Sequence, residues 1–485
     1  MEEIDVATIK RRSVTGVVAL TSRMALMQII SFFGIFLLTI FLEPAIFGVF
    51  AVVTAIVSFL RYFSDIGLAA ALIQKKETIT KEDLTTTFTI QQALVLTVVI
   101  LALFFSGWLA TFFKIGTGGL WLFRALIFAF FLSSLKTIPS IILERRLDFK
   151  RLVVPEITET LIYYLIAVTL AWRGFGVASF TWAVLARGLA GLFVIYLLAP
   201  WQPGLAIHKQ SAKKLLSFGV PFQLYSFLAL LKDDLMTIFL GKFLPLAQVG
   251  FISWAKKWSE YPLRLVMDSI VKVTFPAYSR LQEEPEDLRK GIEKAIYFLS
   301  IIIFPALIGM IFVIKPLVFL IPRYIKWEPA LTSLYLFVVV SILASLSSPL
   351  VNALNAIGKI RTTLKLMIMW TALVWLLTPI FISKIGFNGV ALTQALIGLT
   401  LVVVIYVAKK YVKFAIFKNI YPAAAATILM AVVLFWASPF LSQSLFELVI
   451  LIGVGVIIYT LSLWIVTWGK VWREVQKVLA VLHSK

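Results

Sequence analysis

Residues 254–272 read WAKKWSEYPLRLVMDSIVK, and six of these nineteen residues are charged: Lys256, Lys257, Glu260, Arg264, Asp268 and Lys272. Apolar sequence flanks them, GKFLPLAQVGFIS before and VTFPAYS after. Read as a soluble loop, the stretch interrupts a run of membrane helices. Read as a helix inside the bilayer, it carries a cost of about 2.5–3.5 kcal/mol for each charge at the centre of a span, and something must offset that.

The surrounding sequence favours the helix. The chain has 485 residues, 61% of them hydrophobic, against roughly 45–50% in a soluble domain. Apolar runs long enough to cross a bilayer as helices recur from residue 15 to residue 468, at the roughly 20 residues a crossing needs. The expected class is an all-α polytopic membrane protein with about fourteen spans: 15–42, 45–72, 84–112, 118–143, 150–172, 176–199, 214–241, 247–278, 292–315, 330–356, 361–382, 388–408, 420–437 and 446–468. The stretch at 254–272 falls in the eighth. Residues 1–14 form a charged N-terminal segment, and the first apolar run contains Arg23 and no small-residue cleavage site, so it reads as a retained helix.

Composition also excludes chemistry. There is no cysteine, hence no disulfide or thiolate. The two histidines, His208 and His483, lie in polar segments, which speaks against a metal site and against any cofactor. The net charge of +21 is mostly a topology signal. One alternating set of connections, including KRR at 10–12, ERRLDFKR at 144–151, HKQSAKK at 208–214 and KKYVK at 409–413, carries 28 Lys and Arg, and the other set carries seven. Positive charge stays on the cytoplasmic side, which puts both termini there, in a cytoplasmic (inner) membrane, and makes nucleic acid a poor partner. The tail 469–485 spaces its apolar residues helically and reads as an interfacial amphipathic helix or a solvated tail.

Two internal echoes point to duplication. FLEPAIFGVF at 41–50 matches FLPLAQVGFI at 243–252 through Phe41, Leu42, Ala45 and Gly48 at an offset of 202. GFGVASFTWA at 174–183 matches GFNGVALTQA at 386–395 through a shared GVA at an offset of 213. Each partner lies six spans on, an even number, so the two halves enter the membrane in the same sense. The expected organisation is a six-helix lobe at 15–199, a linker at 200–213, a second six-helix lobe at 214–408 and two further spans within 420–468. Transporters built on such repeats bind substrate where the halves meet and expose it alternately by rocking.

Ten basic residues fall inside spans: Arg23, Arg61, Arg124, Lys136, Arg187, Lys232, Lys256, Lys257, Arg264 and Lys272. Snorkelling accounts for several, Arg124 above all, and i,i+4 spacing lets Arg61 pair with Asp65, and Glu260 with Arg264, structurally. Arg187 and Arg264 lie about three turns from either helix end and must face protein or water. Taken together the basic residues point to a water-filled cationic cavity for an anionic substrate, its expected contacts Arg23, Arg61, Arg187, Lys256, Lys257, Arg264 and Lys272. Asp65, Asp233, Asp234, Glu260 and Asp268 are the acids placed to support those cations or to couple transport to an ion.

The stretches FSDIGLAAALIQKKETITKEDLTTTF (63–88), LERRLDFKRL (143–152), KKLLSFGVPF (213–222) and TFPAYSRLQEEPEDLRKG (274–291) resemble the polysaccharide-transporter or Wzx-type flippases of the multidrug/oligosaccharidyl-lipid/polysaccharide exporter superfamily. The resemblance covers roughly residues 10–420 and is nearest the branch of colanic-acid and teichuronic-acid exporters. It implies a V-shaped bundle of fourteen helices that moves undecaprenyl-pyrophosphate-linked oligosaccharide to the outer leaflet, with Arg23, Arg61 and Arg264 lining the cavity. It further implies a monomer in contact with membrane lipids, working alongside polysaccharide polymerase machinery and coupled to a Na+ or H+ gradient or to the membrane potential. Asp233 and Asp234 stand eight and seven residues before Gly241, further from the turn than the acid the family often shows. A drug/cation antiporter of the same superfamily is the alternative. An enzyme acting on lipid-linked sugar would need an outer loop larger than 315–329.

The absence of cysteine makes the topology directly testable. Single cysteines at Gly116 and Asp148 should label from opposite faces of the membrane with an impermeant maleimide, and labelling of both from outside would overturn the orientation.

Overall fold

The structure is a computed structural model describing residues 6–64, 67–74 and 79–468; within these, the side chains of 6–22, 25, 70, 74, 214–226, 268, 269, 272 and 273 lie outside the described set. Among the described residues it is helical, with no strand. In chain order the helices are α1 (Val6–Phe41), α2 (Pro44–Tyr62), α3 (Leu68–Gln74), α4 (Lys81–Phe104), α5 (Ser106–Phe112), α6 (Gly116–Leu135), α7 (Thr137–Arg145), α8 (Phe149–Trp172) and α9 (Val177–Leu198). They continue with α10 (Lys209–Phe243), α11 (Leu246–Arg280), α12 (Pro285–Leu320), a 3-10 turn (Ile325–Ala330), α13 (Leu331–Ala356), α14 (Ile360–Ile385), α15 (Asn388–Gly398), α16 (Leu401–Lys409), α17 (Phe417–Ala437) and α18 (Leu445–Thr467).

Among the described residues, eleven helices are long and apolar enough to cross a membrane, as befits a multi-pass membrane protein. The first, seventh and eighth expected spans are helical but outside those eleven. Among the described side chains of α1 an apolar run covers Leu26–Phe41, and α10 and α11 carry Lys232, Asp233 and Asp234, and Lys256, Lys257, Glu260 and Arg264, along 35-residue helices. The stretch 254–272 is continuous helix despite its charges. The expected amphipathic tail at 469–485 lies outside the described residues.

Local chemistry sets several helix starts. Thr80 and Asp83 form a reciprocal capping box at α4, the Asp83 amide donating to Thr80 Oγ1 at 3.2 Å and the Thr80 amide donating to Asp83 Oδ2 at 3.0 Å. Pro44 and Pro285 open α2 and α12, where a missing amide costs nothing.

The chain forms two compact units, Met1–Gly250 and Phe251–Lys485. In the first, α8 packs between α9 and α1, α6 packs on α9, α2 and α4, and α10 packs on α2, α3 and α4. Residues 200–208 run without helix along α4, the Ala206 and His208 amides donating to Thr89 and Thr86 Oγ1 at 3.0 Å each. The first turn of α11 belongs to this unit and crosses the start of α2. A Cβ on Gly48 would lie 1.8 Å from the Leu246 carbonyl oxygen, and one on Gly250 would lie 1.9 Å from that of Pro44. These are equivalent positions of the repeated motif. Adding 202 turns Pro44 into Leu246 and Gly48 into Gly250, so each contact is the mirror of the other, as two-fold symmetry requires. The two copies of the motif read from the sequence meet at this crossing.

In the second unit, α12 packs on α13, α17 and α18, and α13 packs on α15 and α16. Trp254 stacks on the buried Trp327, ring centroids 5.2 Å apart, and its indole N–H donates to the Tyr324 hydroxyl at 3.3 Å.

Both units solve a proline problem in one way. A proline inside a helix leaves the carbonyl four residues earlier without its amide, and in a bilayer a neighbouring helix must supply the donor. Pro305 frees the Ile301 carbonyl in α12, and the Tyr459 hydroxyl of α18 donates to it at 2.7 Å. Pro139 frees the Leu135 carbonyl where α6 breaks into α7, and the Tyr196 hydroxyl of α9 donates to it at 3.2 Å. Tyr459→Phe should therefore cost about 1–2 kcal/mol, the penalty of an orphaned carbonyl. Pro305→Ala should be less damaging in the Tyr459→Phe background than alone, since it restores the amide. Thermal unfolding of the four proteins in detergent checks this, and strictly additive effects would show that the hydroxyl does not serve that carbonyl.

Candidate functional site

Two cavities open among the helices of the first unit. The first, of about 490 Å³, gathers Arg23 from α1, Lys136 from the α6–α7 break, Glu156 and Glu159 from α8, and Arg187 from α9. Glu159 is buried. Its carboxylate accepts from Lys136 Nζ on one oxygen and from Arg187 Nε on the other, the latter at 3.4 Å. It rests directly on Gly191, where a Cβ would lie 1.8 Å from Oε1, so only glycine admits it. Arg23 pairs with Glu156 through Nη1. The guanidinium of Arg187 also lies over the Tyr163 ring, 5.9 Å from its centroid.

The second cavity, of about 480 Å³, brings Arg61 of α2 together with Asp233 and Asp234 of α10 and with Gln91 of α4. Arg61 lies over Phe130 at 5.6 Å, and Gln91 donates to Thr137 Oγ1 at 3.0 Å. Lys232 pairs with Asp233 at 3.6 Å. Ser133 and Thr137, flanking the α6–α7 break, line both cavities.

In the second unit the residues of α11 form a row one helical turn apart. Glu260 sits at the centre, 3.8 Å from Lys256 Nζ, while Arg264 donates to its Oε2 from Nε at 3.1 Å and from Nη2 at 2.8 Å. The Arg264 side chain is 68% exposed and that of Arg187 is 50% exposed, so neither is enclosed by its partner. Lys257 is also exposed.

The structure therefore joins Arg23 with Arg187, Arg61 with Asp233 and Asp234, and Lys256 with Glu260 and Arg264. Asp65, and the side chains of Asp268 and Lys272, lie outside the described residues. Lys136, Glu156 and Glu159 were not among the expected contacts. Their depth in α6–α8 is a visible signal, but that Glu159 meets Arg187 across α8 and α9 is a non-local fact. Arg124, by contrast, is anchored to the Ser106 hydroxyl at 3.2 Å and lies over Trp121. Among the described residues no group of three or more His, Asp or Glu side chains could hold a metal ion.

The model of the family described as polysaccharide biosynthesis protein matches residues 37–330. The lipopolysaccharide biosynthesis protein WzxC of Escherichia coli (strain K12) is 26% identical over 332 residues, 67% of this chain and 66% of that protein. The succinoglycan biosynthesis transport protein ExoT of Rhizobium meliloti (strain 1021) is 23% identical over 270 residues, 56% of this chain and 54% of that protein. The chain thus matches just under two thirds of the first relative's length and about half of the second's. Among solved structures it is similar to the lipid II flippase MurJ in an inward closed conformation, with TM-score 0.74 and 14% identity over 93% of this chain and 98% of that one. An inward-facing multidrug resistance MATE family transporter of the MOP superfamily matches with TM-score 0.62 and 16% identity, over 81% of this chain and 97% of that one. At such identities the likeness is one of fold. Because the family model covers more than half of its length, this chain belongs to the polysaccharide biosynthesis protein family.

Proposed function

We propose that the protein is a flippase that carries an undecaprenyl-pyrophosphate-linked oligosaccharide from the inner to the outer leaflet of the cytoplasmic membrane, by alternating access through a cationic central cavity. The observation that supports this best is the gathering of Arg23, Lys136 and Arg187 in one cavity of membrane helices, each held in place by a carboxylate. Charge at such depth is costly unless it is used. The names of WzxC and ExoT, which concern lipopolysaccharide and succinoglycan, agree with a glycan cargo.

The physical logic follows from the cargo. Its pyrophosphate and sugars cannot enter hydrocarbon, whereas its isoprenoid tail can remain in lipid throughout. The head enters the cavity from the cytoplasmic side, the tail trails between helices, and rocking of the repeats releases the head outward. Arg61, Lys256, Lys257 and Lys272 line the anion's path, and Arg264 grips phosphate through two parallel hydrogen bonds. Glu260, and Asp268 four residues after Arg264 in sequence, compete for that guanidinium and keep the grip moderate enough for release. The protein works as a monomer with both termini cytoplasmic, next to the polymerase that uses its product. Its drive is a Na+ or H+ gradient, with Asp65, Asp233 and Asp234 as coupling acids, or the membrane potential. A second reading, drug/cation antiport, is favoured by Asp233 and Asp234 in the Arg61 cavity.

An exposed ion pair contributes about 0–1 kcal/mol to stability, so Arg264→Ala should fold and express normally while abolishing the appearance of lipid-linked oligosaccharide on the outer leaflet of proteoliposomes. Arg264→Lys should retain little activity, having lost the fork. Normal flipping by the alanine variant would remove Arg264 from the mechanism, and transport of small organic cations in place of the glycolipid would establish the antiporter.

A further inference from the structure

We propose that the connection between α16 and α17 is an attachment site for the headgroup phosphate of an anionic glycerophospholipid, with Lys359 and Lys413 as its cations. The inference rests on the membrane placement of these helices and is independent of the cargo.

The helix ends set the height of the site. α13 stops at Ala356, α14 starts at Ile360, α16 stops at Lys409 and α17 starts at Phe417. All four belong to segments long and apolar enough to cross a membrane. Their ends meet in one core cluster, through Leu354 and Ala356 of α13, Leu366 of α14, Ala408 of α16 and Ala423 of α17. Spanning helices that end together mark the level where hydrocarbon gives way to headgroups.

The connection is built rather than loose. Residues 412–415 run without helix, and Val412, Phe414 and Ile416 are buried in that same cluster. Alternation turns Tyr411, Lys413 and Ala415 the other way, and all three are exposed. The Ala415 amide donates to Glu293 Oε1 at 2.9 Å, which fastens the connection to α12. The Tyr411 hydroxyl lies 3.4 Å from Thr362 Oγ1 of α14, and Lys359 Nζ sits 4.9 Å from the centre of the Tyr411 ring. Lys359 and Lys413 therefore come from two chain segments to flank one tyrosine. Lys410 stands beside them, its Nζ 4.6 Å from the centre of the Tyr406 ring. Rings hold these ammonium groups at the surface without neutralising them, and exposed tyrosines beside lysines are the usual furniture of a membrane boundary.

The charge balance names the ligand. Between Glu328 and Glu447 the chain has no Asp or Glu, but it has eight Lys and Arg, and all except Lys384 lie at this end of the helices. Among the described residues none of those seven pairs with a carboxylate. The acids of the neighbouring α12 do not cancel them. Glu286 and Asp287 are paired with Arg289 and Lys290 at 2.8 Å each, and Glu283 and Glu284 stand more than two turns before Glu293. Adding Glu283, Glu284 and Glu293 to the account still leaves four positive charges in excess. Lysine binds phosphate as a point charge, and at this height the phosphates are those of lipids. A zwitterionic headgroup brings its own cation and relieves none of the excess, whereas an anionic one does.

The test is thermal unfolding of the full chain in detergent, titrated with phosphatidylglycerol or phosphatidylcholine of matched acyl chains to find the half-saturating concentration of each. Wild type should bind phosphatidylglycerol roughly tenfold more tightly. Lys359→Gln combined with Lys413→Gln should lose most of that preference, since each basic residue near an anionic headgroup contributes roughly fivefold. Lys315→Gln combined with Lys384→Gln removes the same charge near the opposite ends of α12 and α14 and should keep the preference whole. Equal binding of the two lipids by wild type, a full preference in the first double variant, or an equal loss in the second would each overturn the site. Displacement of phosphatidylglycerol by millimolar inorganic phosphate would overturn the lipid as its occupant.

Discussion

Inside a bilayer no water is at hand to complete a hydrogen bond or screen a charge, so each buried polar group must find its partner within the protein. The Glu159 carboxylate meets that demand with two cations, Lys136 from the α6–α7 break and Arg187 from α9. The Ile301 and Leu135 carbonyls, freed by Pro305 and Pro139, meet it with the tyrosine hydroxyls of Tyr459 and Tyr196. In each case the partner fixes which helices are neighbours and at what height they pack, so the polar groups act as registration marks in a bundle whose apolar surfaces would otherwise slide.

Close backbone approach is the second organising device. Gly48 and Gly250 allow the starts of α2 and α11 to cross at carbonyl contact, and the crossing relates the two copies of one motif to each other. Gly191 does similar service for a side chain, letting a carboxylate lie on the surface of α9. Small residues are the usual means by which membrane helices approach; here one of them admits a charge as well as a backbone.

The charges fall into two physical groups with different capacities. Glu159 is buried between its two cations, and removing either would leave its carboxylate short of a partner, so that group holds its geometry. The row on α11 is accessible, its pair of Glu260 with Arg264 is worth little to stability, and its members can exchange partners.

Much of this is determined by the sequence alone. Span-length apolar runs make the chain a membrane protein, and the α11 stretch that opened the question is helical, as its apolar flanks require. The match of Phe41–Gly48 to Phe243–Gly250 reveals the duplication, because a repeat leaves its mark on local sequence. The depth of Arg187 in its span demands a polar surrounding, since hydrocarbon will not solvate it. What meets it was decided only by tertiary structure. The choice of Glu159 as its partner depends on the height at which α8 packs on α9, on Gly191 leaving room, and on a helix break that turns Lys136 inward. The separation of Arg61 from Arg23 into adjoining cavities depends in the same way on which helices are neighbours. Periodicity and hydropathy act within a single helix, while an ion pair between helices is fixed by packing geometry that no one segment encodes.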